Sequence, residues 1–206
     1  MAEWYFVRHG ETKWNAERRV QGHTDIPLHE PGRNALQFTA KRLALVHFDF
    51  IYSSDLVRAT ETAEIIIAGS KTNPPEVRID PMLREVSFGD FEGMTWEEMS
   101  SSDQGLRLHQ DQRNLDYAPP KGESYRDLLN RLSKFADFLQ LNHAKDDVLI
   151  VGHGAALRAL VVKLLGLNDQ AYWSLTGLGS GSITRLSCRR TGNVMINWNE
   201  VGHFPI

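Results

Sequence analysis

Short apolar runs alternate with helix-period segments along the chain, and that alternation leaves few folds open. Residues 4–8 (WYFVR), 48–54 (FDFIYSS), 77–80 (VRID) and 147–152 (DVLIVG) read as strands, being rich in aromatic and β-branched residues. Between them, residues 33–46 place Ala35, Leu36, Leu43 and Val46 at helical spacing. The Pro31-Gly32 pair reads as the turn before that helix. Asp55 is positioned to cap a second helix that stops at Gly69. Residues 124–143 form a long amphipathic helix carrying Leu128, Leu129, Leu132, Phe135, Phe138 and Leu139, and residues 155–167 form another with its stop at Gly166. Two weaker strands, SITRLSC and VMINWNE, close the chain. The expectation is an α/β fold: a three-layer sandwich with a mostly parallel central sheet and helices on both faces. A chain of 206 residues suits one domain over 1–206.

Composition excludes several classes of function. The formal net charge of -3 argues against a general nucleic-acid binder. The single cysteine, Cys188, excludes an internal disulfide and a cysteine-rich metal site, and it suits a reducing compartment. No stretch approaches 18 consecutive apolar residues, and the N-terminus lacks a basic segment followed by a long apolar one. The expectations are therefore no membrane partner and a cytoplasmic location. His23, His29, His47, His109, His143 and His203 show no ligand spacing, so no metal is expected.

In open parallel sheets, ligands bind outside the carboxyl ends of the strands. Three segments deliver polar residues to that edge: Arg8-His9-Gly10, then Ser53-Ser54 with Arg58, and His153-Gly154. Two arginines offer bidentate forks to an anion such as phosphate. A neutral histidine is a competent nucleophile toward phosphorus, and two neighbouring guanidinium groups disfavour its charged form. The second histidine either stays charged or donates a hydrogen bond. The helix that opens after His153 offers backbone N–H groups to an anion. Phosphoryl transfer asks mainly for positioning and positive charge, which this set supplies without a metal or another cofactor. The leaving group needs a proton. Glu85 is the candidate donor, because like-charge repulsion from a bound phosphate favours a protonated carboxyl. Asp90, Glu92, Glu97 and Glu98 lie near enough in sequence to compete for that role. Arg58 could instead pair with Glu61 or Glu64, and Asn15 could cap a turn.

RHGETKWN, SSDLVRATETA, LREVSFGDFEG and VGHG, in this order, resemble the histidine phosphatase superfamily, the phosphoglycerate mutase-like proteins, over essentially the whole chain. The resemblance implies that His9 becomes a phosphohistidine and that Arg8, Arg58 and His153 complete the phosphate pocket. It also implies phosphate contacts from Asn15 and the Gly154 backbone, proton donation by Glu85, and a substrate-bordering loop at Gln21 and Gly22. LGSGSITRL departs from the family's common pattern, in which an asparagine stands near Ser180 to Ser182.

Residues 81–122 read as irregular, with Thr95 placed to cap a short acidic helix, and within the family they form a substrate-covering insertion. Only 59 residues separate Glu85 from Lys145, little for a tight lid over the phosphoenzyme. APPKGESYRDLLNR resembles the short phosphatase branch, which includes broad-specificity and α-ribazole phosphatases. The expected activity is hydrolysis of a small phosphorylated metabolite. The competing activities are a phosphoglycerate mutase or another phosphotransferase, and a silent phospho-ligand-binding module. A monomer and a homodimer are equally compatible with the sequence.

Overall fold

Every residue of Val148–Gly152 is buried, as a strand covered on both faces requires. This strand, β4, lies at the middle of a six-stranded sheet. The computed structural model describes residues 2–102, 114–189 and 191–205. The other strands are β1 (Ala2–Arg8), β2 (Phe50–Ser53), β3 (Val77–Ile79), β5 (Ile183–Cys188) and β6 (Val194–Glu200), in the order β3-β2-β4-β1-β5-β6. β3, β2, β4 and β1 pair in parallel, whereas β5 is antiparallel to both of its neighbours.

Successive side chains of a strand point to opposite faces, and β4 divides two cores on that rule. Val148 and Ile150 join Leu128, Leu132, Phe135 and Leu160 on one face. Leu149 and Val151 join Leu43, Ala59, Ala63 and Ile66 on the other. The six helices among the described residues are α1 (Lys13–Ala16), α2 (Glu30–Leu43), α3 (Val57–Ala68), α4 (Trp96–Ser101), α5 (Tyr125–Asn142) and α6 (Gly154–Leu164). α2 and α3 cover one face of the sheet, and α5 and α6 cover the other. The three-layer α/β expectation holds.

Two local expectations change. Pro31 and Gly32 do not precede α2 but lie in its first turn. Proline is tolerated there because its missing N–H has no partner in any case. Glycine is required because a Cβ at position 32 would meet the Glu11 carbonyl oxygen. Asp55 does not cap α3. Its carboxylate binds Arg84 at 2.5 Å, and Asp25 from a distant loop accepts from the Val57 N–H at 2.7 Å instead. The described part of residues 81–122 is irregular, as expected, and the short acidic helix after Thr95 is in place. Pro81–Leu83 and Gly89–Phe91 are single 3-10 turns, and Thr95 caps α4 in a reciprocal box with Glu98. Phe91, Met99 and Leu115 are buried in the core beneath α5 and α6. Residues 103–113 of that insertion, with His109, lie outside the described residues.

Gly32→Ala must displace backbone rather than a flexible side chain. The expected cost is about 2–3 kcal/mol, or about 5–10 °C in Tm. Thermal denaturation of the variant checks this, and an unchanged Tm would contradict the packing at Glu11.

Candidate active site

The pairing of β1 with β4 assembles the site. Arg8 stands opposite Gly152 in the parallel register, and the next amide, that of His9, donates to the Gly152 carbonyl at 2.9 Å. Each strand therefore ends at the same level. The histidine that follows each one, His9 or His153, lies beside the other with ring centroids 5.1 Å apart. β2 pairs with the far side of β4, and Arg58 enters from the first turn of α3 behind it. Arg58 is only 1% exposed, and its Nε donates to His153 Nδ1 at 3.2 Å. Arg8, His9, Arg58 and His153 are thus brought together, and the pairing of Arg58 with Glu61 or Glu64 does not occur. Glu61 binds Arg33 instead.

Hydrogen bonds fix complementary tautomers in the two imidazoles. His9 Nδ1 lies 2.7 Å from the Gly10 carbonyl, which can only accept, so Nδ1 carries the hydrogen and Nε2 presents a lone pair. In His153, Nδ1 accepts from Arg58, so the hydrogen is on Nε2. That Nε2 is buried and has no hydrogen-bond partner among the described residues, and the same is true of Arg8 Nε. Burial above all, then Arg58 and Arg8, holds His9 well below the ordinary histidine range. Burial, then Arg58, His9 and Arg8, does the same for His153. Of the two forms open to the second histidine, the neutral donor is the one found.

Both arginines are held by carbonyls. Arg58 donates to Gly22 O at 2.7 Å and to Thr24 O at 3.0 Å, and Arg8 donates to Leu178 O. Burial lowers Arg58 to about 10, against Glu85, Asp25 and Glu92, which raise it. Burial likewise lowers Arg8, opposed by Glu85 and Glu11. Gly22 serves as a positioner. Its φ of 56° and the Glu92 carboxylate beside it leave no place for a side chain. Gln21 is buried, with Oε1 2.9 Å from Thr12 Oγ1. Asn15 does cap a turn, accepting from the Thr12 N–H and hydroxyl at 3.1 Å each through Oδ1. That orientation leaves its amide nitrogen, a pure donor, for an anion.

The first turn of α6 is shared. Glu85 accepts from Ala155 N at 3.1 Å and Ala156 N at 3.0 Å, so two of the amides expected to meet phosphate are already committed. The Gly154 amide is not among its donors. A Cβ on Gly154 would stand 3.5 Å from Arg8 Nε and 3.7 Å from Glu85 Oε2, which puts both groups beside that amide. In LGSGSITRL, where the family's asparagine is absent, the Gly179 amide donates to Asn199 of β6 at 2.7 Å.

Sequence reasoning gave one residue here the wrong candidate role and missed another. Glu92 competed with Glu85 as a carboxylate, but it is a staple. It accepts from His23 N, Phe88 N and Thr24 N, and so joins the 21–24 loop to the insertion. Arg131 was missed. Its signal was an arginine three residues after Leu128 and four before Phe135, on the apolar face of a helix.

A profile of the histidine phosphatase superfamily (branch 1) matches residues 4–201. The chain belongs to that superfamily. It is 37% identical over 202 residues to a probable phosphoglycerate mutase of Escherichia fergusonii, covering 96% of this chain and 90% of that one. Among solved structures, a mycobacterial glucosyl-3-phosphoglycerate phosphatase complexed with VO3 superposes with a TM-score of 0.86 at 31% identity, over 97% of this chain and 99% of that one. A putative α-ribazole-5′-P phosphatase of Escherichia coli superposes at 0.83 with 25% identity, over 97% and 96%. The structural neighbours of this histidine phosphatase family member thus include phosphatases.

Two buried neutral histidines make the stability of this family member depend on pH. Below the ordinary value of 6.5 the unfolded chain binds protons that folded His9 and His153 refuse. Their contribution is full above that value and is lost as pH falls beneath it, at about 1.4 kcal/mol per pH unit for each histidine. Urea denaturation between pH 7 and 5 should show this slope, and His153→Asn should remove one histidine's share of it. Wild-type stability that is flat over this interval would contradict the assignment.

Proposed function

We propose that the protein is a metal-independent phosphatase of small phosphomonoesters that works through a phosphohistidine at His9. The observation that carries this reading is the pair of tautomers: a bare Nε2 on neutral His9, facing a site where His153 Nε2–H and Arg8 Nε–H are donors without protein partners. Such donors suit a phosphoryl group, and desolvated cations stabilise its equatorial oxygens.

In the first step the His9 Nε2 lone pair attacks phosphorus, the N–P bond forms and the bond to the ester oxygen breaks. The Glu85 carboxyl gives its proton to the departing alkoxide, which leaves as an alcohol. The Nδ1–H bond to Gly10 O stabilises the ring as positive charge develops on it. In the second step water attacks phosphorus, Glu85 takes its proton, the N–P bond breaks and neutral His9 is restored. Asn15 through its amide, and Gly154 through its N–H, add donors to the phosphoryl oxygens. Gln21 and Gly22 border the substrate as supports of that pocket. The partner is a small phosphorylated metabolite, and a cytoplasmic location suits it.

Similarity to a probable phosphoglycerate mutase supports a second reading, in which a second phosphoglycerate oxygen replaces water. The 59 residues between Glu85 and Lys145 favour hydrolysis, because they leave little chain to exclude water from the phosphoenzyme.

Phosphate release from p-nitrophenyl phosphate, 3-phosphoglycerate and α-ribazole 5′-phosphate, measured with a chelator present, separates the two. Hydrolysis is expected, with kcat falling by about 10⁴-fold or more in His9→Ala. Isomerisation of 3-phosphoglycerate that outpaces phosphate release would establish the mutase instead. Abolition of activity by the chelator would contradict the metal-independent mechanism.

A further inference from the structure

The Glu85 carboxylate depends on a segment with little regular structure of its own. Residues 81–83 make one 3-10 turn, and Arg84 to Phe88 belong to no helix or strand. Even so, this stretch must bring a carboxylate to within 3.1 Å of two amides at the start of α6. Besides the Arg84–Asp55 pair, a guanidinium on α5 holds it. Arg131 Nη1 donates to the carbonyls of Met82 at 2.6 Å and Arg84 at 2.9 Å, and Nη2 donates to the carbonyl of Glu85 itself at 3.2 Å. Glu123 holds the same guanidinium from the other side. Its Oε1 accepts from Nε at 3.0 Å, and its Oε2 accepts from Nη2 at 2.7 Å. Glu123 Oε2 also accepts from the Ser87 N–H at 3.4 Å, so the pair grips the segment on both sides of Glu85. His23 Nε2 closes the clamp, lying 2.8 Å from the Glu85 carbonyl.

We propose that Arg131, fixed by Glu123, is the positioning residue for proton transfer by Glu85. It touches neither the phosphoryl group nor the leaving oxygen. It acts by fixing three carbonyl directions, those of Met82, Arg84 and Glu85, in the segment that carries the donor. Only a planar fork reaches Met82, Arg84, Glu85 and a carboxylate at once, so lysine is no substitute. Misplacing an acid by an ångström is enough to lose most of its contribution.

This inference rests on Glu85 being the proton donor, and the test separates the two claims. The readout is kcat/KM for two esters: p-nitrophenyl phosphate, whose phenolate departs without a proton, and glycerol 3-phosphate, whose alkoxide needs one. Arg131→Gln, Arg131→Lys and Glu85→Gln are compared with wild type. Glu85→Gln is expected to lower kcat/KM for the alkyl ester by about 100-fold or more and for the phenyl ester far less, because kcat/KM ends at phosphoenzyme formation and omits the second step, in which Glu85 serves both esters alike. Arg131→Gln should reproduce that selectivity at about 30-fold, with p-nitrophenyl phosphate changed by no more than about threefold, and Arg131→Lys should not restore it. Equal losses on both esters in Arg131→Gln, or no loss, would overturn the clamp while leaving Glu85 as donor. An unselective Glu85→Gln would overturn the donor assignment and the clamp with it. If Arg131→Gln does not fold, Glu123→Gln releases the guanidinium from its other side and is judged by the same selectivity.

Discussion

The bond from the His9 amide to the Gly152 carbonyl fixes the geometry on which the rest of the site depends. It continues the β1–β4 ladder one residue beyond the end of β1. It therefore sets how far each strand projects before its histidine turns aside. A slip of one residue would move every side chain of β1 to the opposite face. Trp4 and Phe6 would leave the core under α5 and α6, so core packing and site geometry enforce the same register.

A second constraint concerns where positive charge is allowed to remain. Buried guanidinium groups usually find a carboxylate. Here Arg58 is satisfied by two carbonyls and an imidazole, and Arg8 by a carbonyl, and neither forms an ion pair among the described residues. Neutral acceptors orient a cation without cancelling its field. The positive potential stays available for a bound dianion, and it also keeps His9 unprotonated. Glu85 apart, the carboxylates are placed one layer out: Glu92 ties the loop that supplies the carbonyls, and Asp25 starts the helix that supplies Arg58.

The sheet, its flanking helices and the meeting of Arg8, His9, Arg58 and His153 were legible in the sequence. Each of those residues ends a strand, directly follows one, or lies in the first turn of the helix after one. Backbone periodicity reports strand ends well, and parallel strands leave only one edge at which such residues meet. What could not be read were side chains acting across long separations. Asp55 has the spacing of a cap for α3, yet Arg84 takes it, and Asp25 arrives from 32 residues away. Glu85 sits among several acidic neighbours, and only tertiary structure tells its amides at α6 from the staple bonds of Glu92. Beyond the short helix that Thr95 caps, residues 86–102 gave no pattern because their few buried side chains, such as Val86 and Phe91, are separated by turns rather than by a regular period.

The sheet order also governs how the chain is made. β1 is the first strand synthesised, yet both of its neighbours come late: β4 begins at Val148 and β5 at Ile183. Even the Trp4 indole waits for the carbonyl of His143, 139 residues downstream. At translation rates of roughly 5–20 residues per second, the apolar stretch from Trp4 to Val7 travels unpaired for about 7–30 s. For that interval this stretch lacks the strands that flank it, and the cluster of Arg8, His9, Arg58 and His153 takes shape only once β4 has emerged.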